Sequence, residues 1–175
     1  MMFRTYSLVL IAGILLSVSC NNNAEKKKLA SDVSELEAVL LTDTTSLPDR
    51  NMAMELIQAY ENYANALPDD SLAPEYLYKG AEIAMNLQMA GRAIEYHQRI
   101  INNYPDFDKK SYSIFLQAFI YENQMQQYET AKTLYKEFIE LYPEHPLADD
   151  AAVSISNMGK SLEELIKSWE TEEKK

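Results

Sequence analysis

The residues of this sequence with the means to do chemistry are few: two histidines, one cysteine and two adjacent aspartate pairs. An imidazole can bind a metal or carry a proton, but neither His97 nor His145 stands in an H-E-x-x-H arrangement or another zinc-binding spacing. His97 falls on the apolar face of a helical stretch and reads as a buried structural imidazole. His145, between Glu144 and Pro146, reads as an exposed loop residue. Asp69-Asp70 and Asp149-Asp150 could hold a cation, yet both pairs precede or open a helix, where negative charge offsets the macrodipole. No glycine-rich phosphate loop and no G-x-S-x-G elbow occur. Twelve tyrosines could stack on sugar rings. Most recur at helical packing positions, where a ring can be buried with its hydroxyl at the wet edge. The expectation is a protein without catalytic residues, metal or cofactor.

The thiol calls for a separate account. Cys20 is the single cysteine of 175 residues, so no internal disulfide is possible. It follows an apolar run, Leu8 to Val18, which is too short to span a bilayer but has the length of a signal-peptide core. Leu16-Ser17-Val18-Ser19-Cys20 resembles a bacterial lipobox, although Ser17 stands three before the cysteine where a leucine is usual. That resemblance implies a lipoprotein, cleaved ahead of Cys20 and carrying diacylglycerol and a fatty acid such as palmitate. Two or more acyl chains anchor a protein stably. An ordinary cleaved signal and an uncleaved membrane anchor are the alternatives. The expected organisation is a signal peptide at residues 1–19, the lipidated cysteine with a polar tether at 20–28, and one domain at 29–175. Asn21 is not the aspartate that retains many such proteins at the inner membrane, which points to the periplasm-facing side of the outer membrane. The net charge of −11 excludes nucleic-acid binding through phosphate contacts.

Beyond the tether nearly everything has helical spacing, and an internal repeat organises it. Pro68, Pro105 and Pro143 each close a similar ending, Asn65 to Asp70, Ile101 to Asp106 and Ile139 to Glu144. Leu72-Ala73 and Leu147-Ala148 lie at the same offset after their prolines. Before the N-terminal proline of this series, Leu29, Val33, Leu36 and Leu40 share a helical face. After the last one, Ser161-Leu162-Glu163-Glu164 is a capping box, followed by an apolar stripe at Leu162, Leu165, Ile166 and Trp169.

Leu77, Ala81, Ala93, His97 and Pro105, then Phe115, Phe119, Ala131, Tyr135 and Pro143, resemble the tetratricopeptide repeat. His97 replaces an aromatic in that pattern, and Phe119 a small residue. The resemblance implies an all-α, tetratricopeptide-like solenoid of helical hairpins with about eight helices, its repeats near 50–68, 73–105, 111–143 and 147–172. It also implies a groove lined by the first helix of each hairpin. By register the groove-facing residues are Glu75, Tyr78, Glu82, Met85 and Asn86, then Ser113, Leu116, Ile120, Asn123 and Gln124, then Asp150, Val153 and Asn157. Leu116 and Ile120 would form an apolar anchor site unless a neighbouring helix covers them. Glu75, Glu82 and Asp150 would favour a basic partner.

The stretch Ala131 to Asp150, A-x-x-x-Y-x-x-F-x-x-x-Y-P-x-x-P-x-A-D-D, resembles the periplasmic coordinator of the Tol-Pal system. With the lipobox, the repeats also resemble the outer-membrane lipoprotein of the barrel-assembly machinery. These resemblances imply a non-catalytic protein–protein interaction adaptor of the cell envelope, with envelope proteins of barrel-assembly or Tol-Pal type as partners. The alternative is a glycan- or solute-binding accessory lipoprotein.

Overall fold

The structure, a computed structural model, describes residues 23–40 and 49–172, with side chains as far as residue 167. The expectations for residues 1–19, Cys20 and the Trp169 side chain lie outside these residues. The described residues form eight helices and no strand: α1 (23–40), α2 (Arg50–Ala66), α3 (Leu72–Asn86), α4 (Ala90–Asn103), α5 (Lys110–Asn123), α6 (Tyr128–Leu141), α7 (Ala148–Asn157) and α8 (Leu162–Glu172). They divide into two compact units, with the boundary inside α3 between Tyr76 and Leu77.

The repeat seen in the prolines is a repeat of backbone hydrogen bonds. The residue before a proline is pushed out of the helical region, and the proline itself has no N–H to continue the ladder. Leu67, Tyr104 and Tyr142 accordingly share one conformation, with φ between −127 and −136° and ψ between 59 and 69°. Their amides donate to Tyr63, Ile100 and Phe138 respectively. Three residues on, the amides of Asp70, Phe107 and His145 donate back to Leu67, Tyr104 and Tyr142, and a further turn starts the next helix. Three loops follow one path.

The other set of turns uses the left-handed region. Gln88, Gln126 and Gly159 follow α3, α5 and α7 with φ of 59, 54 and 74°. At the first two, the next bonds reach back beyond a normal helical turn: Met89 to Ala84 at 2.8 Å, Gln127 to Tyr121 at 2.8 Å. Glycine adopts this conformation without steric cost, whereas glutamine does not. Gly159 matches the need, and the two glutamines run against it.

In the unit ending at Tyr76, α1 packs Val33 fully inside and α2 buries Ala53, Leu56, Ile57, Tyr60, Tyr63 and Ala64. The Tyr76 ring stacks on Tyr60 at 5.1 Å and meets Tyr63 edge-on at 4.7 Å. Residues 23–28, expected as a flexible tether, are instead the first turns of α1. Lys28 pairs with Asp32 one turn on, Ser31 bonds Glu35, and Lys26 forms an ion pair with Asp70. Such i,i+4 pairs support a helix that looks merely polar in sequence.

Asp70 holds this unit's loop together. Its carboxylate accepts from the Leu72 amide and the Tyr63 hydroxyl, each at 3.0 Å, as well as from Lys26. Burial alone would raise its pKa, but these donors outweigh it and hold the carboxyl below its ordinary range. Burial and the bond to Asp70 push the Tyr63 phenol up to about 12.

The second unit, from Leu77 onward, centres on Ile114, Ala118, Ala131, Tyr135, Phe138 and Ala151. Phe115 packs edge-on against Tyr135 and Phe138 at 5.4 and 5.5 Å. Alanines with no exposed surface, Ala81, Ala93, Ala118 and Ala131, allow close approach of helix backbones. In α5 that small residue is Ala118 and not its neighbour Phe119, which turns outward.

Replacing Gln88 by Gly should stabilise the protein by roughly 0.5–1 kcal/mol, and Gly159→Ala should destabilise it by about 1 kcal/mol. Urea unfolding midpoints at constant slope test both, and equal effects of the same sign would contradict the assignment.

Candidate functional site

The exposed face of α5 is built from residues four, three and four apart: Tyr112, Leu116, Phe119 and Asn123. Tyr112 and Phe119 are each 38% exposed, Leu116 is half-buried and Asn123 is exposed. The opposite face, Ser113, Gln117 and Ile120, is closed off. Gln117 donates to the Ile94 carbonyl and to Gln98 Oε1 at 3.4 and 3.0 Å, and Gln124 donates to the Met85 carbonyl at 3.0 Å.

This changes the expected groove. Ile120 has no exposed surface and belongs to the interior, as does Ser113. Tyr78 is 8% exposed, its ring meeting His97 edge-on at 5.9 Å and covered by the Lys109 ammonium at 5.0 Å. Met85 and Glu75 are half-buried. Of the predicted set, Glu82, Asn86, Asn123 and Asp150 lie on the surface and Leu116 is partly accessible, while Val153 is 55% exposed. Tyr112 and Phe119 were missed. α5 carries bulky apolar residues on both faces, so spacing alone does not tell which side turns inward.

The ends of α5 and α7 meet the start of α8 in an open cleft. Asn123 and Asn157, both expected in the groove, line it together with Glu122, Tyr128, Lys160 and Glu164. Asn123 donates to the Phe119 carbonyl at 3.0 Å. Glu122 accepts from the Tyr135 hydroxyl at 2.9 Å. The Ser161–Glu164 capping box forms as its sequence implies: Glu164 accepts from the Ser161 amide at 2.8 Å, and the Ser161 hydroxyl accepts from the Glu164 amide at 3.3 Å. The bonds from the Ser161 amide and hydroxyl lower the Glu164 pKa and keep the carboxylate charged beside Lys160. The cleft thus offers carboxylates, carboxamides, one ammonium and the ring of Tyr128, which is 41% exposed. These groups suit hydrogen bonding to a peptide.

The two histidines are structural. His145 is not a free loop residue. Its ring meets Tyr112 at 4.7 Å and Phe138 at 5.1 Å, and its Nδ1 accepts from the Leu147 amide at 3.1 Å. Asp70 does the same for Leu72 two residues ahead of it. His97 is wholly buried, and neither ring nitrogen has a partner. The reason is visible in the neighbouring repeats. Eight residues before each proline stand Tyr60, His97 and Tyr135. Tyr60 donates to Glu37 at 2.7 Å and Tyr135 to Glu122 at 2.9 Å. At the position corresponding to Glu122 the middle repeat has Ala84, so the carboxylate that answers a phenol is missing there. Among the described residues no group of three histidine, cysteine or acidic side chains could hold a metal ion. Nor is any described helix long and apolar enough to cross a membrane.

Burial lowers the His97 pKa from 6.5 to about 4. The unfolded chain therefore takes up this proton at higher pH than the folded one. Stability is complete above pH 6.5 and falls as the pH drops toward 4, by about 3 kcal/mol in all. His97→Phe should remove that acid-side loss and add about 1 kcal/mol at neutral pH by deleting two unpaired polar atoms. Urea titrations at several pH values check this, and an unchanged slope between pH 6.5 and 4 would rule it out.

No curated protein matches the chain. A tetratricopeptide-repeat family model matches residues 75–106 and 112–145, the two segments that hold the α3–α4 and α5–α6 hairpins.

Proposed function

We propose that the chain is a non-catalytic adaptor of the bacterial cell envelope, held to the outer membrane by lipid on Cys20 and binding a protein partner along the exposed faces of α5 and α7. Tetratricopeptide repeats generally mediate protein–protein interaction. The observation that carries the reading is the α5 face, where Leu116 and Phe119 present apolar surface directly beside Asn123 and the polar cleft. An apolar anchor bordered by groups that bond a peptide backbone is the makeup of a binding hot spot. Glu82, Asp150, Glu122 and Glu164, on a chain of net charge −11, favour a basic partner and speed its encounter. Barrel-assembly or Tol-Pal components are the envelope partners that the sequence resemblance suggests.

A glycan-binding reading draws on the same face, because Tyr112 and Phe119 both present ring surface there. Tyr112, however, spends one edge on His145, and neither ring is open enough to form a sugar platform.

Phe119→Asp should reduce partner capture from gently solubilised membranes at least tenfold, the loss of an anchor worth about 1.4 kcal/mol or more. Because Phe119 lies outside the core, thermal unfolding should hardly change. Full capture by this variant would overturn the binding face. In parallel, Cys20→Ser should abolish incorporation of labelled palmitate, and retained label would overturn the anchor.

A further inference from the structure

The apolar anchor of α5 and the carboxylates of the neighbouring cleft lie one helical turn apart, and that spacing restricts what can bind both. Phe119, exposed, and Glu122, which lines the cleft, stand three residues apart on α5. Side chains so placed on a helix have Cβ atoms about 5–6 Å from each other. Glu164 of α8 lines the same cleft, as does the ring of Tyr128. We infer that this corner of the protein binds a short extended segment of the partner, one that carries a bulky apolar residue and, two positions away, an arginine or lysine. The inference rests on the α5 binding face proposed above and adds to it the sequence which that face selects.

Charge and spacing select this occupant. Glu122 and Glu164 are each held by the chain through Oε2 alone, the first by the Tyr135 hydroxyl and the second by the Ser161 amide and hydroxyl. Oε1 of each takes no hydrogen bond from the described residues. Carboxylates fixed by one oxygen and open at the other can accept the N–H groups of a guanidinium or an ammonium. Lys160 offsets one of the two charges, so the cleft keeps a negative balance, on a chain of net charge −11. The Tyr128 ring gives the cation an aromatic surface to lie against. In an extended chain, residues two apart point to the same side, about 6–7 Å from each other, which matches the spacing of Phe119 and Glu122. An extended backbone also offers open N–H and C=O groups to the carboxamides of Asn123 and Asn157, whereas a helix uses its own internally.

Short random peptides displayed on phage and selected on the full chain in mild detergent test this. Enriched sequences should share an apolar residue with arginine or lysine two positions away. The winning peptide, labelled and titrated by fluorescence anisotropy, should lose roughly fivefold in affinity when alanine replaces its base. The double variant Glu122→Gln with Glu164→Gln should bind the basic and the alanine peptide equally. A glutamine oxygen still accepts from Tyr135 and still completes the capping box with Ser161, so melting should be unchanged. Enriched peptides without a base, or with one three or four positions from the apolar residue, would overturn the inference, as would no enrichment at all. A base that counts as much in the glutamine variant as in wild type would do the same. Phe119→Asp separates this inference from the reading beneath it. If that variant loses the selected peptide while the base proves indifferent, the α5 face stands and only the sequence rule falls. If it binds the peptide undiminished, the face falls as well.

Discussion

An amide nitrogen that lacks its hydrogen fixes the geometry from which the rest follows. Each proline at 68, 105 and 143 stops a helix in the same way, because it cannot donate and forces its predecessor out of the helical region. Leu67, Tyr104 and Tyr142 therefore turn the chain identically, and the loop bonds that follow recur at the same offsets. With the same turn made at every second junction, what remains is to fill the interior of each unit. Buried alanines and the aromatic rings of Tyr60, Tyr135 and Phe138 do this.

The variations on that plan are as informative as the plan. Where the outer repeats set a tyrosine hydroxyl against a glutamate, the middle one has an imidazole, with Ala84 at the glutamate's register position, and leaves both nitrogens unanswered. A buried polar atom without a partner gives up its hydration for nothing in return. The middle repeat therefore carries a local weakness at a position where its neighbours are satisfied. The left-handed glutamines at the ends of α3 and α5 are a second small strain. Both features are compatible with a domain selected for its surface and held only as stable as it must be.

Much of this was legible in the sequence. Proline spacing and the alignment of Leu72-Ala73 with Leu147-Ala148 revealed the hairpins, and the Ser161–Glu164 capping box formed as read. Polar sequence concealed the helix at residues 23–28, because its support comes partly from Asp70, more than 40 positions away. Register placed Ile120 in the groove, but in α5 apolar side chains face both ways, and the packing of the Gln117 side against α4 decides between them. His145 illustrates a signal that was available. It occupies the position of Asp70 after its proline and performs the same capping bond, with a ring nitrogen in place of a carboxylate oxygen.

The early start of α1 sets a length. Only Asn21 and Asn22 separate Cys20 from the first helical residue, Asn23, and a fully extended chain covers at most about 10 Å over that interval. With lipid on Cys20, α1 and the hairpin to which Lys26 ties it would stand at the bilayer surface on a very short leash. Under the proposed anchoring, its reach would be a thin layer above the membrane, and its ligands would have to come down to it or already be embedded beside it.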